Sequence, residues 1–309
     1  MLPLIARRLV GAALVLLVVS FCSFVLLELA PGDAADTRAG DTASAEDVAL
    51  LRAQMGLDAP LLVRYGRFLA AALLEGDLGR SAISGRPVSG LVAERFGYTL
   101  TLALAAISVA VVVGGLAGAA AAARPGGPFD LAVMGLITLG QAVPTFWLAL
   151  MLMLVFGLTL RWLPIMGAGS PRHLVLPAVA MALPSAAVVA RLVRASLLDV
   201  RGADYVRTAR AKGLGAGAVW GRHLLPNSLV PVITMVGLHL GHMLGGAFII
   251  ESMFGWPGLG RLLVQAVFDR DLPVVLGAVL LIAGIVQLLN VAVDLAHALL
   301  DPRVGRGAV

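Results

Sequence analysis

The sequence predicts an all-α integral membrane protein with six transmembrane helices. Three observations carry that prediction. Hydrophobic residues make up 60% of the 309 positions and charged residues only 13%, with a mean hydropathy of +0.96. A water-soluble core saturates well below that apolar content, so the surplus faces lipid. Apolar runs of membrane-crossing length recur along the chain. Finally, the Lys and Arg residues of the short connections concentrate on one side.

Arg7 and Arg8 precede an apolar run over 9–30. A positive start and an apolar run also fit a signal peptide. The run is longer than such a peptide's apolar core and shows no convincing cleavage site. It is therefore expected to be an uncleaved first span, within a domain 1–30. Residues 31–97 are polar and mixed in charge, with helix-like 44–55 and a turn at 84–87, and are expected to form a small ordered extracytoplasmic segment.

A domain of five spans is expected over 98–298. Its first span, 98–123, carries no charge and stops at the RPGGP loop 124–128. The run 131–160 would reach about 45 Å as one helix, more than a hydrocarbon core of about 30 Å. A single tilted helix, kinked near Pro144, is expected. Residues 161–173 form a short loop with Trp162 at its start. Spans follow at 174–190, 224–250 and 273–296, with an outer loop 251–272 and a cytoplasmic tail 299–309. Among short connections, twelve Lys and Arg lie on the inner side and four on the outer. That asymmetry places both termini in the cytoplasm.

The formal charge of +5 comes from 23 Lys and Arg against 18 Asp and Glu. In a membrane chain this excess reflects loop placement, so no nucleic-acid partner is expected. The single Cys22 excludes an internal disulfide.

Residues 203–226, ADYVRTARAKGLGAGAVWGRHLLP, form a basic island between apolar spans. Ala203, Val206 and Ala209 repeat at helical spacing, while Arg207, Arg210 and Lys212 charge other faces. Gly213 and Gly215 break the helix, and a second piece over 216–224 carries Trp220, Arg222 and His223. Pro226 falls in the first turn of the next span, where proline is tolerated. Positive-inside bias and anionic lipid alone would produce a basic loop. The spacing adds something more specific.

Gly213, nine residues, then His223-Leu-Leu-Pro226 keep the spacing of the cytoplasmic-loop motif of ABC importer permeases. That motif is EAA, three residues, Gly, nine residues, then IxLP. Ala209 falls on its second alanine. Arg207 replaces the glutamate, Thr208 the first alanine and His223 the isoleucine. The run 205–214, YVRTARAKGL, is similar to the dipeptide and oligopeptide branch. So are APGD at 30–33, GDLGRS at 76–81, GRP at 85–87, and Glu251 followed by FGWPGLG at 254–260. The resemblance covers essentially the whole chain.

The resemblance implies a type I importer permease fold in the bacterial cytoplasmic (inner) membrane, with a coupling loop over 197–225. Tyr205, Arg207, Ala209, Ala211, Lys212, Gly213, Leu214, Arg222 and Pro226 would meet an ATPase. Two ABC ATPase subunits would carry ATP and Mg, and an extracytoplasmic solute-binding protein would deliver substrate. The missing glutamate removes any specific salt bridge made from that position elsewhere. The motif occurs once, which calls for a second, related permease subunit. The chain has no GxxxxGK[ST] phosphate loop, HExxH or GxSxG, so no bound cofactor and no catalytic residue are expected. Dipeptides or oligopeptides are the expected cargo. Nickel-chelate, opine, glutathione and haem permeases of the same superfamily are the alternative, and an ion-coupled secondary transporter a more distant one.

Polar groups within spans are expensive and mark paths or contacts. Glu28, Asp294 and His297 lie near span ends and reach the interface. Gln141 beside Pro144 sits mid-span, where lining a path and a structural role weigh evenly. His239 and His242, three apart, could bind a metal, but hydrogen bonding between helices is the stronger expectation. Glu251, Phe254, Trp256 and Pro257 are expected to form an outer gate or a docking surface for the binding protein. Gly114, Gly115 and Gly118 are expected to allow close helix packing.

Overall fold

The computed structural model describes residues 2–29, 35, 44–54 and 56–300. The APGD motif and the tail arginines Arg303 and Arg306 lie outside these residues, as do the side chains of Glu28 and His297. The described residues form thirteen helices and no strand: α1 Leu2–Glu28, α2 Ala45–Gln54, α3 Leu61–Ala70, α4 Val88–Ala123, α5 Pro128–Ala142, α6 Thr145–Leu152, α7 Arg172–Arg201, α8 Asp204–Ala211, α9 Ala216–Val219, α10 Leu225–Gly246, α11 Phe248–Met253, α12 Leu259–Phe268 and α13 Leu272–Leu300. Wider π turns prolong α3 to Glu75, α6 to Thr159 and α9 to Leu224.

Four helices are long and apolar enough to cross a membrane unaided, and two bent pairs bring the number to six. The pair at Pro144 corrects the expected single kinked helix. α5 and the run Thr145–Thr159 meet at 100°. Proline disfavours helical geometry in the residue before it and has no N–H to continue the ladder. Val143 is accordingly extended, and Pro144 caps α6.

The span expected over 98–123 also starts ten residues earlier, at Val88. At 36 residues α4 is about 54 Å long. Its first turns project beyond a hydrocarbon core, which lets them hold the Arg86–Glu94 ion pair at 2.5 Å. The span expected to end at 190 continues through Arg191 and Arg194 to Arg201.

α4 and α7 form the central pair. Gly114 and Gly118 face the backbone of Ala186 and Ala190 and the side chains of Val189 and Val193 so closely that a Cβ at either glycine would overlap them. A Cβ at Gly115 would meet nothing within 4 Å, so this glycine is not needed for the close approach, which corrects its expected role. α5, α6, α10 and α13 pack around this pair, and α1 lies against α13 with Arg8 bonded to Asp294 at 3.0 Å. The chain alternates between two ends of the bundle. Arg8, Asp294, the 124–128 loop and α8 gather at one, and the start of α4, the start of α13 and the 251–260 loop at the other.

Gly118→Val is expected to lower the thermal unfolding midpoint in detergent, because overpacking typically costs about 1–3 kcal/mol. Gly115→Ala, with open space around it, should leave the midpoint unchanged.

Candidate functional site

The basic island folds into a hairpin with two unlike faces. α7 ends at Gly202, and Ala203 turns the chain in an extended conformation before α8. Val206 and Ala209 are buried in an apolar cluster with Ala122 of α4, Val189, Val193 and Leu197 of α7, and Val219 and Leu224 beyond the corner. Tyr205, Arg207, Arg210, Ala211 and Lys212 are exposed on the opposite faces. The Arg207–Asp204 pair, 3.6 Å apart, is fully exposed and holds little energy.

The corner is made by Gly213 at φ +80°, a left-handed conformation that glycine adopts without steric cost. The amides of Gly213 and Leu214 donate to the carbonyls of Arg210 and Ala209, closing the end of α8. Leu214 and Trp220 are half-buried, Arg222 is exposed, and Pro226 stands in the first turn of α10. The helix–glycine–helix arrangement read from spacing is thus present. Its apolar underside lies in a cluster shared with α4 and α7, and its cations are exposed.

A pairing that the sequence reading missed lies nearby. Buried Asp130 accepts from Arg194 at both carboxylate oxygens, at 2.7 and 2.6 Å, and from the Gly126 amide at 2.9 Å. This clamps the 124–128 loop to α7. In the sequence Arg194 is simply one of the twelve inner-side cations. Nothing local signals a partner 64 residues away.

A second feature is an open cavity of about 230 Å3 at the break between α5 and α6. Thr145, Pro184, Ser185, His239, His242 and Met243 contribute to its wall. Ser185 Oγ and His239 Nδ1 are 3.2 Å apart, so His239 joins α10 to α7. The two imidazole rings stand 6.4 Å apart. Gln141 and Pro144 are exposed and not on this wall, whereas Thr145, which the sequence reading passed over, is.

The third feature is the 251–260 loop. Glu251 is fully buried rather than at the mouth of an exposed loop, and Phe254 and Trp256 are buried with it. An exposed docking surface at these residues is therefore corrected; only Pro257 is half-exposed. Thr99 of α4 is the pivot. Its hydroxyl donates to Glu251 Oε1 at 2.6 Å and accepts from the Leu259 amide at 2.7 Å. The Arg261 amide donates to Glu251 Oε2 at 3.0 Å. The Trp256 indole N–H donates to the Tyr98 carbonyl at 2.9 Å, and the two rings meet edge to face. Gly258 is required because any Cβ would overlap the Glu251 carboxylate. Burial pushes the Glu251 carboxyl above its usual range, while the Thr99 hydroxyl and the amides of Arg261 and Gly260 pull it back.

Four long apolar helices and two bent pairs, with a broken helix at a cavity and a basic hairpin at one end, together make a multi-pass membrane protein. Two family models match the chain. One, described as a binding-protein-dependent transport system inner membrane component, matches residues 110–306, and its N-terminal companion matches residues 1–103. The chain belongs to this family of ABC importer permeases. It is 42% identical over 312 residues to a Brucella suis biovar 1 protein provisionally named a peptide transport system permease, covering 98% of this chain and 99% of that one. It is also 42% identical over 304 residues to the glutathione transport system permease protein GsiC of Salmonella paratyphi A, with the same coverage. The fold matches the MetNI methionine ABC transporter (TM-score 0.54, 19% identity, 68% of this chain and 96% of that one). It also matches an amino acid ABC transporter (TM-score 0.51, 20% identity, 70% and 94%).

Glu251→Ala is expected to destabilise the protein by about 1–3 kcal/mol, since it strands the Thr99 and Arg261 donors. Thermal unfolding of the purified chain checks this. The raised Glu251 pKa also carries a pH signature. The folded state binds that proton more tightly than the unfolded chain does. Its contribution is fully present below the ordinary carboxylate range and is lost as pH rises through the raised value. Glu251→Gln should abolish that slope.

Proposed function

We propose that this chain is one of two related permease subunits of an ATP-driven importer and forms half of its translocation path. Two ATPase subunits, carrying ATP and Mg, bind at the hairpin end, which faces the cytoplasm. A solute-binding protein delivers cargo at the opposite end. The membrane is the bacterial inner membrane, as the family description supports. The cargo is a short peptide. The names of the two relatives, peptide and glutathione permeases, share the chemistry of linked amino acids.

The observation that carries this reading is the two-faced hairpin. A push on α8 from the cytoplasm bears on the apolar cluster that α4 and α7 also enter, because Val206 and Ala209 are buried in it. α7 also supplies Pro184 and Ser185 to the cavity wall. The same helix therefore links the driven end to a space beside His239 and His242, through which cargo passes. The gate role of the 251–260 loop follows from Thr99, which ties that loop to α4.

Gly213→Val tests the coupling. A β-branched residue at φ +80° costs about 1–3 kcal/mol, enough to lower uptake at least about fivefold. The variant should still insert and co-purify with its partner permease, yet lose substrate-stimulated ATP hydrolysis. Normal stimulated hydrolysis together with normal uptake would contradict the reading.

A further inference from the structure

We propose that α3 and its π turn, residues 61–75, lie in the lipid boundary as an interfacial helix, not in the aqueous phase beyond the membrane. The inference rests on depth and on three distinct faces. The first apolar span covers Ala6–Leu26. Tyr65 of α3 is buried against the inside of that span. Its hydroxyl bonds the Ser20 hydroxyl at 2.8 Å and donates to the Leu17 carbonyl at 3.2 Å. Its ring meets Phe21 and Phe24 edge to face, at 5.2 and 5.6 Å between centroids. Phe68 also packs near Phe24.

At 1.5 Å per residue, Phe24 and Phe21 lie roughly 3–8 Å inside the end of the span. That is the depth at which amphipathic helices rest between headgroups and acyl chains. The second face is apolar and uncovered. Leu62 is 70% exposed, Leu73 75% and Leu74 84%, with half-buried Leu69 between them. The third face carries Arg64, Arg67 and Glu75. Arg64 stands over the Phe24 ring, 5.7 Å from its centroid, and also donates to the Leu57 carbonyl. Two cations above an apolar stripe at the end of a span suit lipid phosphate above acyl chains. The lipid-facing surface of α1 continues into the stripe through Phe21 and Leu26, which are themselves exposed.

The placement has a structural consequence. The chain leaves residue 75 directly into the 76–88 turn, which is fixed to the start of α13 by Asp271. The Ser81 hydroxyl and Ala82 amide donate to its carboxylate at 2.5 and 3.0 Å. Anchored in lipid at one end and at Asp271 on the other, this turn is held at a set height above the membrane.

The test is site-directed spin labelling of the full chain, with its partner subunits, in phosphatidylethanolamine–phosphatidylglycerol vesicles. Cys22→Ser removes the native thiol. Labels are placed singly at Leu62→Cys and Leu73→Cys, with Asp77→Cys as the aqueous reference. Either apolar position carries the test should the other disturb assembly. Both labels should collide severalfold more often with oxygen than with a water-soluble nickel chelate, and the Asp77 label should show the reverse. Nickel access equal to that at Asp77 would overturn the proposal. So would shielding from both probes, or shielding that requires added binding protein, because either places a protein rather than lipid on the stripe.

Discussion

The structure depends on how closely α4 and α7 approach. Lipid offers no hydrophobic force to press two helices together, so contact must come from backbones fitting tightly. Gly114 and Gly118 provide the groove, and Ala186 and Ala190 fill it. Because their backbones meet at these glycines, the two helices form one closely packed unit. The hairpin at one end and the Thr99–Glu251 cluster at the other attach to that unit separately.

The interruptions in the fold follow from the same solvent. Non-helical backbone inside a membrane must be satisfied within the protein or beside a wet cavity. Val143 and Pro144 break the third traverse where the described cavity opens, and the bent traverse of α9 and α10 supplies His239 and His242 to the same wall. Among the described residues, every buried side-chain polar atom elsewhere has a partner. Asp130 has Arg194 and Gly126, and Glu251 has Thr99 and Arg261. Both clusters fix a loop onto a long helix, and neither faces the cavity.

Much of this was legible in the order of residues. Composition and hydropathy identified the traverses, and the spacing of Gly213 and Pro226 located the hairpin and its corner. Other features were not legible, for physical reasons. Hydropathy measures solvent preference and is blind to helix continuity, so the break at Pro144 read as a kink. Charges at Glu94 and Arg95 read as loop, although α4 is long enough to carry them beyond the lipid. Glu251 read as the edge of an exposed loop because its partner, Thr99, is 152 residues away. Gly115 differs from Gly114 and Gly118 only in the face it occupies, and a face has meaning only once the neighbouring helix is placed.

The central claim is that the exposed face of α8 is where a cytoplasmic ATPase engages this chain. Cysteine cross-linking in the assembled transporter tests it most directly. With Cys22→Ser as background, Ala211→Cys is paired with single cysteines across the ATPase surface. The account predicts an oxidative cross-link to the ATPase that halts uptake and is reversed by reduction. Absence of any such cross-link, or full uptake while it is in place, would contradict it.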